Sequence, residues 1–262
     1  MVSTGQMIGM VLAILLPILA AVVPYVCIHK RSSKIETGMA GAVGYGFLGY
    51  LWQQLIYLMV IVMITNISWL AKLIGNNYVA TATVYGLVCG IFVALGMYWG
   101  VYLTNQKQHS IYRSAAIGIG FGLGNIAWNI IAPYAMSLYY SIQINAGTYA
   151  GSEQIKKSIL GTPAVTLYLD AFRCILFLLI YMGIALLLGY FYLEGNKIAA
   201  WGTPILVQFF ISLSNALIQE YFPNIASRVV LYIMLSLLAA GSVWLTVGWL
   251  KTGEIPIGKQ RK

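Results

Sequence analysis

Seven long apolar runs constrain this chain more than any other feature of its sequence. Each run exceeds the roughly 20 residues that an α-helix needs to cross a bilayer. Only 8% of the residues are charged, whereas about a quarter are charged in a soluble domain. We therefore predict an all-α polytopic membrane helical bundle, one integral membrane domain over residues 1–262, with about seven transmembrane helices. The predicted spans are 5–28, 39–65, 80–104, 114–140, 163–193, 198–222 and 228–250.

The basic residues between the spans predict the orientation. If the N-terminus lies outside, ten of them fall in cytoplasmic segments and four in outer segments. The ten are Lys30, Arg31, Lys34, Lys107, Arg113, Lys197, Lys251, Lys259, Arg261 and Lys262, and the four are Lys72, Lys156, Lys157 and Arg228. The positive-inside rule then favours an N-out/C-in, multi-pass protein, which we place in the lipid bilayer of a bacterial cytoplasmic membrane. The net charge of +9 follows from this topology, and no nucleic-acid partner is expected because no soluble basic surface is present.

The fourth span contains the most unusual local pattern, residues 118–129. Glycine recurs there at every second position, and Asn125 and Asn129 follow four residues apart. Small residues let neighbouring membrane helices approach closely. Asparagines at this depth need hydrogen-bond partners, because lipid offers none. The pattern is typical of a frame for an intramembrane site.

Polar side chains in other spans extend this candidate site. We predict a polar cavity formed by Gln53, Gln54, Asn125, Asn129, Asp170, Arg173, Gln208 and Asn215. Buried amides also serve as hydrogen bonds between helices, and Asp170 and Arg173, three residues apart on one helix, can form a neutralised structural pair. Both alternatives stay open at this stage.

The chemistry of the spans argues against an enzyme. A hydrolase needs a general base or a metal, and no His lies in any predicted span. No metal site and no cofactor are expected, and the three scattered cysteines are interpreted as structural thiols. The one acid placed clearly inside the membrane, Asp170, is the fallback candidate for a catalytic residue.

Several segments resemble one known family. They are the opening decapeptide 1–10, the Leu-Pro-Ile of span one with its basic exit, and the Gly-Ala-Val-Gly-Tyr-Gly-Phe at 41–47. The chain is similar over nearly its whole length to the YhfC-type intramembrane proteases, bacterial relatives of the glutamic, CAAX-protease-like membrane peptidases. The resemblance implies a protease-like membrane fold.

The resemblance also implies where the active residues of the family should lie. Its Glu-Glu-x-x-Arg-Tyr motif matches residues 97–102, so Met97 and Tyr98 replace the glutamates and Val101 replaces the arginine. Its Gly-His-Gly-x-x-Glu motif matches residues 122–127, with Leu123 and Ala127 in place of His and Glu.

The remaining motif positions are also altered. Phe172 takes the place of an acid beside Arg173, while Gln208 and Ser212 match a later His and acid. The resemblance thus implies a protease-like fold that has lost its hydrolytic groups.

Three functional hypotheses follow. The leading one is a non-catalytic, pseudo-protease-like membrane protein that binds or scaffolds another membrane protein or an exported peptide. The second is an active intramembrane peptidase with an atypical site around Asp170. The third is a membrane subunit of a transport or peptide-immunity system, which seven spans and a positive interior fit equally well.

Overall fold

The computed structural model describes residues 1–31, 38–69, 71–72, 77–105, 110–221 and 225–252. Seven helices within these ranges are long and apolar enough to cross a membrane. The prediction of an all-α, multi-pass bundle with seven spans is therefore confirmed.

The helices are numbered here in chain order. They are α1 Thr4–Arg31, α2 Met39–Thr65, α3 Tyr78–Asn105, α4 Ile111–Ile126, α5 Ala132–Ala146, α6 Glu153–Gly161, α7 Ala164–Leu193, α8 Lys197–Tyr221 and α9 Ile225–Thr252. A π-helical turn, Ala127–Ile131, joins α4 to α5, so that the two helices form one span. This span is longer than the predicted 114–140, and it ends at Gly147, which has the left-handed φ of 73° that favours glycine.

The amphipathic helix α6 lies in the segment between the fourth and fifth spans. Ser152 caps it, because its hydroxyl accepts a hydrogen bond from the backbone N–H of Gln154 at 3.2 Å. Ile159 on its apolar face is buried in a small cluster with Val2 and Leu167. This packing fixes the connection against the start of α1.

The centre of the bundle is formed by the fourth and fifth spans. About two thirds of the most apolar window in each of them, 67%, is buried within the protein, against 17–33% in the other five. The exposed apolar side chains on the outer helices suit a lipid environment, because lipid tails are as apolar as leucine side chains. These two spans therefore form most of the protein-facing surface of the bundle.

Glycines bring α2 and α4 into main-chain contact. A methyl group added at Gly46 would overlap main-chain atoms of Ile117, and one added at Gly120 would overlap main-chain atoms of Val43. The contact is thus reciprocal, as in close packing of small residues between membrane helices. It sets the spacing between α2 and the central helix that carries the candidate asparagines.

Candidate functional site

A polar cavity of about 210 Å³ lies between five of the helices. Its described lining comes from α2, α3, α4 with the π-helical turn, α7 and α8, and consists of Tyr50, Gln53, Gln54, Cys89, Val93, Asn125, Asn129, Arg173, Cys174, Phe177, Tyr181 and Gln208. Gln53 lies 14 residues after the start of α2 and 12 before its end, which is about 20 Å from either end at 1.5 Å per residue. The cavity is therefore at mid-height in the bundle.

The structure brings together six of the eight side chains that the sequence predicted for this cavity. They are Gln53, Gln54, Asn125, Asn129, Arg173 and Gln208. Asp170 and Asn215 are not among its described lining residues. Asn215 lies seven residues beyond Gln208, two turns farther along α8.

A hydrogen-bond network covers one wall of the cavity. The hydroxyl of Tyr50 donates to Oδ1 of Asn125 at 3.0 Å, and Nδ2 of Asn129 donates to the hydroxyl of Tyr50 at 3.1 Å. Asn129 also donates to Oδ1 and to the backbone carbonyl of Asn125. Tyr50 thus links α2 to the fourth span through hydrogen bonds to both asparagines.

The π-helical turn is what presents Asn129. Pro133 has no N–H, so the carbonyl of Asn129 cannot receive the usual hydrogen bond from four residues ahead. The backbone instead widens, and the N–H of Ala132 donates to the carbonyl of Ala127, five residues back. Such turns occur frequently at functional sites.

Two glutamine oxygens in the cavity wall have no hydrogen-bond partner in the described part of the chain. They are Oε1 of Gln53 on α2 and Oε1 of Gln208 on α8. These residues are only 1% and 8% exposed. Nε2 of Gln53 makes one long contact, 3.5 Å, to Oε1 of Gln54. An unpaired buried acceptor costs free energy, and both of these oxygens are closed off from solvent.

Asp170 has two polar neighbours, Arg173 and Tyr134. Its Oδ1 lies 3.6 Å from Nη2 of Arg173, and its Oδ2 accepts a 2.7 Å hydrogen bond from the hydroxyl of Tyr134. Only Arg173 of this group reaches the cavity wall. The described lining thus contains Arg173 but not Asp170, which lies three residues away on α7 and accepts a hydrogen bond from Tyr134 of α5.

The remaining motif positions suggested by the family resemblance do not converge on the cavity. Met97 and Val101 are fully buried in the core, and Tyr98 packs its ring against Tyr192 and Trp201.

The later motif positions are just as scattered. Ala127 opens the π-helical turn, Phe172 stacks on Tyr232, and Ser212 packs against Gly86 of α3. Of all these positions, only Arg173 and Gln208 line the cavity.

Leu123 shows why the family-motif positions differ from the residues that line the polar cavity. It lines a separate apolar groove of about 280 Å³ between α1, α2 and α4, with Ile18 and Val43. Residues two apart on a helix point about 200° apart, so Leu123 and Asn125 lie on opposite sides of α4. The Asn125–Asn129 pair, and not Leu123 and Ala127, faces the polar cavity.

Sequence reasoning missed several residues of the wall. Cys89 and Cys174, predicted to be structural thiols, both line the cavity, as do Tyr181 and Phe177. Tyr50 was also missed, although its spacing of three residues from Gln53 places it on the same face of α2. That spacing was the one available signal.

The described wall offers a set of hydrogen-bonding groups. It contains amides, phenols, thiols and one guanidinium, but neither a carboxylate nor an imidazole. Acyl transfer by attack of water needs a general base or a ligand set for a metal. Groups of three or more His, Cys, Asp or Glu that could hold a metal do not occur in the described ranges. The donor set therefore suits recognition of a polar group.

Comparisons with known proteins leave the chain without an assigned family. A scan against protein-family models finds no match. Searches of the curated proteins and of the solved structures also find no match.

Proposed function

We propose that this protein is a non-catalytic, multi-pass membrane protein that holds a polar group of a partner in the cavity between α2, α3, α4, α7 and α8. The partner is another membrane protein or an exported peptide. The observation that carries the proposal is the polar cavity at mid-height in the bundle, whose described lining combines five amide side chains with the guanidinium of Arg173. Polar groups without partners are expensive in a membrane interior, so a polar group of a partner gains from a site whose side chains offer it hydrogen bonds.

The environment of Asp170 supports binding over peptidase chemistry. A general base must reach the proton that it removes, whereas both oxygens of Asp170 already have a partner, Arg173 or Tyr134. The resemblance to YhfC-type proteases supports the same proposal, since the chain has non-titrating residues at nearly all of the family's reactive positions.

The orientation is part of the proposal. An N-out/C-in arrangement in a bacterial cytoplasmic membrane puts ten basic residues inside and four outside. It also places α6 and the start of α1 on the outer side, where an exported peptide would arrive. Labelling of single cysteines added at each terminus with a membrane-impermeant reagent in whole cells tests this arrangement.

Site-directed photocrosslinking in native membranes tests the proposed binding. A photoreactive benzoylphenylalanine replaces Phe177, a half-buried aromatic residue of the cavity wall. The matched control carries it at Leu237 on α9, which is 70% exposed. We expect a discrete protein or peptide adduct from position 177 and lipid adducts from position 237.

Variants of the cavity make the test specific. Gln53→Leu and Gln208→Leu keep the side-chain size but remove two amides from the polar lining, so the adduct from position 177 should disappear while the protein still folds. The same adduct from both positions, or lipid adducts alone from position 177, would refute the proposal. Accumulation of a cleaved partner that depends on Asp170 would also overturn it in favour of a peptidase.

A further inference from the structure

The apolar groove between α1, α2 and α4 is separate from the polar cavity, because the two share no described lining residue. Seven of the eight described residues that line the groove are aliphatic, and the eighth is Tyr25. Ala21 and Ile119 lie deep in the groove, since they are 3% and 1% exposed, whereas Val22 is 49% exposed. The groove therefore opens onto the surface of the bundle, and its lining suits an apolar occupant.

The position of the groove fits one leaflet of a bilayer. Tyr25 and Ile18 lie six and 13 residues before the end of α1 at Arg31, which is about 9 and 20 Å from that end at 1.5 Å per residue. Ala40, on the opposite wall, is the second residue of α2. Half of the hydrocarbon core of a bilayer is about 15 Å thick. A lipid chain that enters beside the end of α1 therefore runs along the groove.

The size of the groove also suits part of an acyl chain. Its volume is about 280 Å³, nearly twice that of a ~150 Å³ engineered cavity that holds benzene. By the same scaling it accommodates about a dozen carbon atoms.

The end of the groove beside α1 is basic. The ring of His29 stacks on Tyr25 with the ring centroids 5.8 Å apart, so His29 follows directly on the groove lining. Both His29 and Lys30 are exposed. The sequence over residues 30–37 contains three basic residues and one acid. Basic clusters next to a membrane helix attract anionic lipids, and basic pockets between such helices bind anionic headgroups.

A buried guanidinium adds to the positive potential at this end. A Cβ at Gly38 would lie 3.1 Å from Nη2 of Arg113, so Arg113 of α4 lies beside the start of α2. Its Nη1 donates to the carbonyl of Thr104 at 3.1 Å, and the residue is 6% exposed. A charge in such a position is screened little by salt. The acids whose side chains the structure describes lie outside α1, α2 and α4.

We infer that the groove holds one acyl chain of an anionic phospholipid, whose phosphate binds at His29 and Lys30. Phosphate oxygens are acceptors, and both of these side chains carry donors. The basic end favours a lipid over a partner helix, because a chain lying in the groove places its headgroup at that end. This lipid site goes beyond the proposed function, which concerns the polar cavity.

Native mass spectrometry of the purified full-length protein tests the inference. The protein is stripped of lipid in mild detergent and titrated with phosphatidylglycerol or phosphatidylcholine that carry identical acyl chains. We expect the first phosphatidylglycerol to bind with an apparent Kd about tenfold lower, since each basic residue near the headgroup contributes roughly a fivefold preference. Equal affinity for the two lipids would overturn the inference.

Charge variants locate the headgroup. Lys30→Gln removes one exposed cation, and His29→Phe keeps a ring against Tyr25 but has no N–H to donate. Together they should reduce the preference for phosphatidylglycerol about fivefold. The matched control is Lys197→Gln, an exposed lysine at the start of α8, which should keep the full preference. An equal loss in the control would show that only the net charge of the protein matters, which contradicts a site at α1.

A groove variant locates the acyl chain. Ala40→Phe puts a large side chain into the groove and should abolish tight binding of phosphatidylglycerol. Leu48→Phe, also on α2 but 52% exposed and outside the described lining, should not. Unchanged binding to a folded Ala40→Phe variant would refute the assignment. Because residues 29 and 30 are exposed, the charge variants decide the question even where Ala40→Phe fails to fold.

Photocrosslinking in native membranes identifies the occupant. Benzoylphenylalanine replaces Val22 in the groove or, as the control, Val23, which is 64% exposed and about 100° around α1. We expect lipid adducts from both positions, with phosphatidylglycerol enriched at position 22. A discrete protein adduct at position 22, or the same lipid composition at both positions, would overturn the inference.

Discussion

Gly124 is the position where a single methyl group should affect both the bundle and the cavity. A Cβ added there would lie 2.6 Å from Cβ of Tyr50 and 3.1 Å from the carbonyl oxygen of Phe47. An ordinary contact begins at 3.4 Å, so the first distance is 0.8 Å too short. Neither neighbour can turn away, because one is main chain and the other is the first side-chain atom. Gly124→Ala must therefore push α2 away from α4.

The cost can be estimated from three contributions. Overpacking against an unyielding neighbour costs about 2–3 kcal/mol. Moving Tyr50 breaks its bonds to Asn125 and Asn129, at about 0.6 kcal/mol each for hydrogen bonds inside membrane proteins. Alanine in place of glycine recovers roughly 0.5–1 kcal/mol of helix propensity. We expect Gly124→Ala to lower the free energy of unfolding by about 2–4 kcal/mol.

Gly44→Ala on α2 is the matched control. A Cβ at Gly44 meets no atom within 4 Å, so only the propensity gain of roughly 0.5–1 kcal/mol remains. Reversible unfolding in mixed micelles of mild detergent and SDS, followed by tryptophan fluorescence, measures both variants. We expect the free energies of unfolding of the two variants to differ by about 3 kcal/mol. A difference of less than about 1 kcal/mol would show that the close approach of α2 and α4 does not restrict the residue at position 124.

Three further substitutions examine the cavity wall. Tyr50→Phe removes the hydroxyl that joins α2 to Asn125, and it should cost about 0.6–1 kcal/mol in the same unfolding assay; no change would show that the network carries no stability. Gln208→Leu should raise the free energy of unfolding by about 1 kcal/mol, because it removes a buried unpaired oxygen. The crosslink from position 177 should be lost in the same variant. A lower free energy of unfolding would show that the buried oxygen does not cost stability. Asp170→Asn leaves the charge of Arg173 without its partner inside a span, so thermal stability in detergent should fall while partner binding persists; unchanged stability would count against a structural role for the pair.

The sequence by itself determined the class of the fold and the inventory of buried polar groups. Span length and hydropathy are local properties, since each helix must satisfy its own backbone in lipid. Seven spans therefore follow from composition along the chain. Gln53, Asn125 and Gln208 stand out for the same reason, because a polar side chain within an apolar run needs a partner wherever it lies.

Only the tertiary structure decided which of these groups meet. Leu123 and Asn125 are two residues apart, yet they face different cavities, because the packing of α2 and α7 against α4 selects the inward face. Asp170 accepts a hydrogen bond from Tyr134, 36 residues away in sequence. Such pairings depend on helix rotation and spacing, which close glycine contacts set and which no local pattern of residues encodes.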